Sequence, residues 1–250
     1  MKKKLTSLFL MFIILGLAAC NAERVQEQAI PSGGLTPPII NLPTPYYNTT
    51  VEYGKPDLIT DNTEPLRAYI HFPVAGDVTD EIIVEWARGV HQSAYNEIAE
   101  IRKNDPKAKG EVNIQFDSYF VNGRYAGILE NGIFMSSHLA HPRSIIRTFN
   151  IDTKNKILLA NTDILDYSQS ANILAVMHDR ITEDHPEAAN YLNEMNEKWL
   201  EHIAIGHDGI IVVLERSVFL PSHIGALKVT LPYNKLGSAF VLGAEPSPEP

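Results

Sequence analysis

Hydrophobic and polar positions along the chain separate into stretches of different period. Leu66-Arg67-Ala68-Tyr69-Ile70-His71-Phe72-Pro73 is rich in apolar and aromatic residues and ends at a proline, so it predicts a strand. Thr79 then stands before Asp80 and Glu81, a helix start with acidic residues in its first turn. From Ile82 and Ile83 through Trp86, Ala87, Val90, Ala94 and Ile98 to Ile101, apolar residues recur at three- and four-residue steps. That stripe predicts one amphipathic helix, stopped at Asn104-Asp105-Pro106.

The period then changes. Val112, Ile114, Phe116 and Phe120 alternate with Asn113, Gln115, Asp117 and Tyr119, which is the signature of a half-buried strand. Asn122-Gly123 is a strong hairpin signal, and the segments Tyr125 to Met135 and Ser144 to Ile151 extend an antiparallel sheet. A turn at Asp152-Thr153-Lys154-Asn155-Lys156 leads into Ile157-Leu158-Leu159. A second helix is expected from about Ser168 to Thr182, with Ile173, Leu174, Met177 and Ile181 on its apolar face. Pro186 opens a further helical turn through Tyr191, Leu192 and Met195. Three strands close the region: Glu201 to Ile205, Ile210 to Arg216 after Asp208-Gly209, and Ala226 to Leu231. Runs of strands with helices set apart indicate an α+β fold, a mainly antiparallel sheet packed against two or three helices in a single domain.

The ends of the chain read differently. Residues 1–19 hold Lys2, Lys3 and Lys4, then an apolar run from Leu5 that ends in Leu17-Ala18-Ala19 before Cys20. This is a secretory signal pattern, and the run is shorter than the ~20 residues a membrane span needs. The segment resembles the bacterial lipobox, in which the cysteine becomes the acylated N-terminus. Cys20 is therefore the expected lipidation site and the bilayer an expected partner. Asn21, rather than aspartate, would send such a lipoprotein to the outer membrane in a host that has one. Residues 20–47 carry Pro31, Pro37, Pro38, Pro43 and Pro45 and read as a semi-rigid tether. Residues 48–242 are the expected domain, and 243–250, with Glu245, Pro246, Pro248, Glu249 and Pro250, an acidic tail.

Composition narrows the function. The 250 residues include 21 basic and 30 acidic side chains, net −9, and 44% are hydrophobic. Loss of Lys2, Lys3 and Lys4 with the signal leaves 18 basic residues against 30 acidic, net −12. An acidic chain lacks the basic face that nucleic acid requires and favours basic partners. The single cysteine excludes an intramolecular disulfide and Cys-based metal sites. The chain has no Gly-x-Ser-x-Gly, His-Glu-x-x-His, phosphate-loop or dinucleotide pattern; a triad needs no local motif, so this does not exclude an enzyme, but no cofactor and no catalytic residue is expected. Nine histidines are the one concentration of site chemistry. His138 and His141 are the tightest pair, but no third ligand is near in sequence, so one of them is expected to bond the backbone of the turn before Pro142. Ser137 beside His138 is a poor nucleophile pair, because neighbours on a strand face opposite ways.

Two stretches resemble the RsiV-like extracellular domain, a family named for an anti-sigma factor that serves as a lysozyme receptor. The first is Ala140-His141-Pro142 followed by Thr148-Phe149-Asn150-Ile151-Asp152 through Leu159, with Asp163-Ile164-Leu165 after it. The second is Gly209 to Leu214, then Pro221-Ser222-His223-Ile224-Gly225, then Val229-Thr230-Leu231-Pro232-Tyr233-Asn234-Lys235-Leu236. Ser137, His138 and Leu139 stand where the family has glycines, and Ser222 replaces a loop tyrosine. The resemblance covers about residues 66–237 and implies an exported, non-catalytic binding domain. It makes a basic protein such as lysozyme the expected partner, agreeing in sign with the charge. A peptidoglycan-binding or structural envelope lipoprotein is the alternative, and an exported hydrolase with a histidine site the third reading. The loop from Ser217 to Gly225, with Pro221, Ser222 and His223 at its tip, is the first candidate contact surface. The turn at Ser137, His138 and His141 is the second.

Overall fold

Nine strands and four α-helices follow one another in a computed structural model that describes residues 50–215, 218–221, 223, 224 and 226–243. All of these belong to one compact unit, Tyr46–Pro250. The signal, Cys20, the tether and residues 244–250 lie outside the described residues.

The first sheet has six strands in sequence order. They are β1 (Lys55–Asp61), β2 (Leu66–Val74), β3 (Gly110–Val121), β4 (Tyr125–Ser136), β5 (Arg143–Asp152) and β6 (Ile157–Leu158). α1 (Asp80–Ile101) connects β2 to β3, and these two strands pair in parallel. A helix-length crossover is what a parallel pair requires. The other pairs in the sheet are antiparallel. The expected α+β class with a mainly antiparallel sheet is what the fold has.

Local chemistry sets the boundaries. Thr79 is the N-cap position of α1, but its side chain caps nothing; its hydroxyl donates to Asp77. Asp80 holds the entry instead, accepting from the backbone N–H groups of Ala75, Gly76 and Asp77 at 2.9, 2.6 and 3.1 Å. Ile83, Ala87, Ala94 and Ile98 are the buried face of α1. Asn122 and Gly123 both take positive φ, 52° and 61°, as a tight β-hairpin with right-handed strand twist demands.

A second sheet of three antiparallel strands follows: β7 (Ile203–Ile205), β8 (Gly209–Leu214) and β9 (Leu227–Pro232). Before it come α2 (Asn161–Ile164), α3 (Ser170–Asp184) and the 3-10 turns Pro186–Glu194 and Glu197–Leu200; α4 (Tyr233–Leu236) follows it. The Pro186 stretch is thus 3-10 rather than α-helical.

Alternation along β3 and β4 gives the first sheet two buried faces. Val112, Ile114, Ala126, Ile128 and Phe134 pack with Ile83, Ala87 and Ile98 of α1. Tyr119, Val121, Tyr125 and Leu129 join the core formed by α3 and the small sheet. β7 approaches the first sheet so closely that a Cβ on Gly127 would lie 2.0 Å from the carbonyl oxygen of Ile205. Asn150 of β5 closes this seam. Its amide nitrogen donates to Ile203 O and its amide oxygen accepts from Ile205 N, both at 2.8 Å. The side chain thereby pairs with the edge of β7 as a neighbouring strand would.

Candidate functional site

The connection from β8 to β9 is built on buried anchors. Val218 and Phe219 turn back over Glu215, whose carbonyl accepts from both of their N–H groups at 3.4 and 3.5 Å. Leu220 is buried. The Phe219 ring packs on Trp199 at 5.2 Å between centroids, and Trp199 is itself in the core. Ile224 N donates to Pro221 O at 3.0 Å, a tight turn at the tip. The His223 ring meets Tyr191 edge-on at 6.1 Å. Ser222 lies outside the described residues, as do Arg216, Ser217 and Gly225.

The result is an exposed patch on a fixed base. Val218 is 60% exposed and Tyr191 40% exposed. Tyr191 is carried by the 3-10 turn that also bears Glu187 and Glu194, both exposed. Burial, reinforced by Glu201, pushes the Glu215 carboxyl above its ordinary value. Exposed apolar and aromatic groups, with carboxylates on the same 3-10 turn as Tyr191, form a surface suited to a partner that is both apolar and basic. Tyr191 was not among the residues singled out from sequence. It lies in the helical turn expected after Pro186, and the 3-10 form of that turn aims its ring outward.

The second candidate turn follows β4. Ser137 N donates to Lys109 O at 3.0 Å, and Ser137 Oγ accepts from Lys109 N at 3.3 Å. Leu139 N donates to Ser136 O at 3.1 Å. His138 Nε2 lies 3.0 Å from a carboxylate oxygen of Asp105, beyond the end of α1. That hydrogen bond is the main reason the Asp105 carboxyl sits below its usual value. The expectation that a histidine bonds backbone in this turn is therefore corrected, since His138 takes a carboxylate and His141 is exposed. Ser137 and His138 face different partners. The turn rests on the α1 end of the first sheet and the β8–β9 loop on the core of the small sheet. Among the described residues, no hydrogen bond, ion pair or ring contact joins the two candidate surfaces.

Other histidines are dispersed. His91 pairs with Asp61 at 3.1 Å. His207 of the β7–β8 turn pairs with Glu52, at the start of the described chain. Around the latter, Tyr119 meets His207 edge-on at 6.1 Å, and Lys228 of β9 reaches Tyr119 Oη at 2.6 Å and Asp117 at 3.1 Å. This network ties the first residues of the body to both sheets. His202 stands apart, in a cavity against β5. Among the described residues, no group of three His, Cys, Asp or Glu side chains is placed to share a metal ion. Among them, too, no helix is long and apolar enough to cross a membrane.

No family model matches the chain, and no curated protein does. Solved structures do. One is a DUF3298 family protein from Pseudomonas aeruginosa PAO1, with 13% identity and a TM-score of 0.54 over 78% of this chain and 98% of that one. The chain shares the fold of this DUF3298 protein. A DUF3298 member from Bacteroides fragilis NCTC 9343 matches with 14% identity and a TM-score of 0.45, over 76% of this chain and 94% of that one. Fold alone does not carry function.

Proposed function

We propose that the chain is an envelope lipoprotein, anchored through acylated Cys20, whose α+β body binds a basic protein of the lysozyme kind without catalysis. The carrying observation is the Val218–Ile224 loop. Its Phe219 and Leu220 are seated in the core, while Val218, His223 and Tyr191 are presented outward beside Glu187 and Glu194. Rigid anchoring lowers the ordering entropy that a binding loop must lose, and the carboxylates steer a basic partner. The net charge of −12 left after the loss of Lys2, Lys3 and Lys4 acts in the same direction. The likeness to the RsiV-like domain, in the Gly209–Leu214 and Pro221–Leu236 stretches, is what selects lysozyme among basic proteins.

The test is calorimetric titration of the chain from Asn21 onward with animal-type lysozyme, at low and at physiological salt. The expected result is saturable binding that survives physiological salt. Tyr191→Ala combined with Val218→Asp should weaken it at least tenfold, about 1.4 kcal/mol, without changing the melting temperature. Binding that disappears with salt, or that ignores both substitutions, overturns the reading. Co-sedimentation with purified peptidoglycan then decides for the cell-wall alternative.

A further inference from the structure

The first sheet is incomplete along one edge, and a cavity opens there. β6 pairs only with Ile151 and Asp152 of β5, and Leu159 N adds one bond to Asn150 O at 2.7 Å. The chain then turns away into α2. β4 occupies the other edge of β5 along Arg143–Asp152. Outward-facing backbone groups recur at every second residue of such a strand. With Asn150 O facing β6, the next outward pair belongs to Thr148. Thr148 lines a cavity of about 260 Å³, whose walls also include Arg147, Asn161, Glu201 and His202.

The charges in this cavity are unspent. Among the described residues, neither Arg147 nor Glu201 forms an ion pair, with each other or with any other group. The Arg147 guanidinium lies over the Phe149 ring at 5.4 Å, which orients it without satisfying its N–H donors. Both charges act on the His202 ring in opposite directions, and burial, the larger influence, favours its neutral form. Asn161 fixes the wall by donating to the carbonyl oxygens of Leu200 and Glu201, both at 3.0 Å. The site therefore offers an anion-binding fork, a carboxylate, and a peptide edge within one small space.

We propose that this cavity binds a zwitterionic ligand of amino-acid chemistry, either a free amino acid or a very short peptide. Its carboxylate takes the Arg147 guanidinium and its ammonium takes Glu201; in a short peptide, the peptide group also bonds the β5 edge at Thr148. Strand addition supplies main-chain hydrogen bonds, and the flanking charges select the ends. The volume is below the ~300–1,000 Å³ of sites for larger organic ligands, so the ligand is short. This site uses none of the side chains that the β8–β9 loop presents, although Glu201 also acts on Glu215 at the foot of that loop, so the two ligands are titrated separately.

The experiment is calorimetric titration of the full chain with dialanine, free alanine, N-acetyl-dialanine and dialanine amide. Saturable binding of dialanine or of alanine is expected, and the tighter of the two identifies the source. The two blocked dipeptides should each bind at least tenfold more weakly than dialanine, as each lacks one charge. Arg147→Gln should weaken binding at least tenfold and Glu201→Gln severalfold. Arg143→Gln, whose side chain pairs with Glu97 outside the cavity, should leave binding unchanged. Arg147 is exposed, so its variant should keep the parent melting temperature. Absence of saturable binding by both dialanine and alanine overturns the proposal. So does binding indifferent to the blocked ends or to Arg147→Gln.

Discussion

Asn150 and Glu130 sit on adjacent strands, 2% and 0% exposed, and the fold treats them in opposite ways. Asn150 faces the small sheet and spends its amide on two backbone groups of β7. Glu130 shares its face of β4 with Ile128 and Phe134, under the α1 side, and neither carboxylate oxygen has a hydrogen-bond partner among the described residues. Its Cα neighbour across the ladder is Arg147, but no ion pair forms between them and the guanidinium lies over Phe149. Burial alone pushes the Glu130 carboxyl well above its ordinary value. The comparison teaches that a buried polar side chain is judged by what it meets. One stitches two sheets together, whereas the other is a desolvated acid held in its neutral form.

The largest effect is expected from cutting the stitch. Asn150→Leu keeps the approximate size but strands a buried carbonyl at Ile203 and a buried N–H at Ile205. Each unpaired group costs about 1–3 kcal/mol, so a loss of about 3 kcal/mol is expected in urea unfolding. Gly127→Ala attacks the same seam by bulk, because its Cβ would collide with the Ile205 backbone. A loss of less than about 1 kcal/mol for Asn150→Leu would mean that β7 finds other partners.

The reverse experiment fills the Glu130 site. Glu130→Leu removes an unpartnered acid and adds apolar contact, so it should stabilise by about 1–3 kcal/mol near neutral pH. The gain should depend on pH with a definite sign. Below the ordinary glutamate value, both folded and unfolded states are protonated and the parent carries no ionisation penalty. As pH rises through that value, the unfolded chain ionises while folded Glu130 stays neutral, and parent stability falls until the raised folded value is reached. The advantage of Glu130→Leu should therefore be smaller at about pH 4 than at about pH 7. Glu130→Gln should remove this pH dependence while leaving an amide without partners. A Leu variant whose advantage is constant with pH would sink the account.

Much of the frame was legible and the contacts between its parts were not. The stripe from Ile82 to Ile101 marked α1 almost to the residue, because one buried face on a 3.6 period leaves a strong signal. β1 left none. Nearly every residue of Lys55–Asp61 is exposed, so no alternation is imposed on an edge strand. The parallel pairing of β2 with β3 was also hidden, since a strand's pattern does not name its neighbour. Candidate surfaces show the same division. Pro221 and His223 lie in the β8–β9 connection, and Tyr191 meets His223 only through the fold. His138 finds Asp105 across 33 positions and His207 finds Glu52 across 155. Arg147, Thr148, Glu201 and His202 form a cavity only because β6 is short, and strand length was the least readable feature of that segment.

The smallest expected effect comes from a third buried polar group, Asp152, which is 3% exposed at the end of β5. Unlike Glu130, it is surrounded by donors. Arg124 approaches it with Nε at 3.2 Å and a terminal nitrogen at 2.6 Å. The backbone N–H groups of Lys154 and Asn155 donate at 3.1 Å, and the Asn155 amide at 2.8 Å. The Arg124 hydrogen bond is the leading cause that lowers the Asp152 carboxyl to about 2. The sign is thus opposite to that of Glu130. Its stabilisation is fully present above the ordinary aspartate value and is lost as pH falls toward about 2. Asp152→Asn keeps the shape and the turn at Lys154 but removes the charge, and its amide meets some donors with donors. It should lower stability near neutral pH by less than half the loss in Asn150→Leu, because Arg124 is partly solvated and recovers water. The discriminating observation is the acid limb of the stability profile. Parent stability should fall below about pH 4 more steeply than that of Asp152→Asn, so the two curves converge in acid. Parallel acid limbs would show that the Arg124 pair contributes nothing through ionisation, and that satisfied and orphaned carboxylates on this sheet differ only in packing.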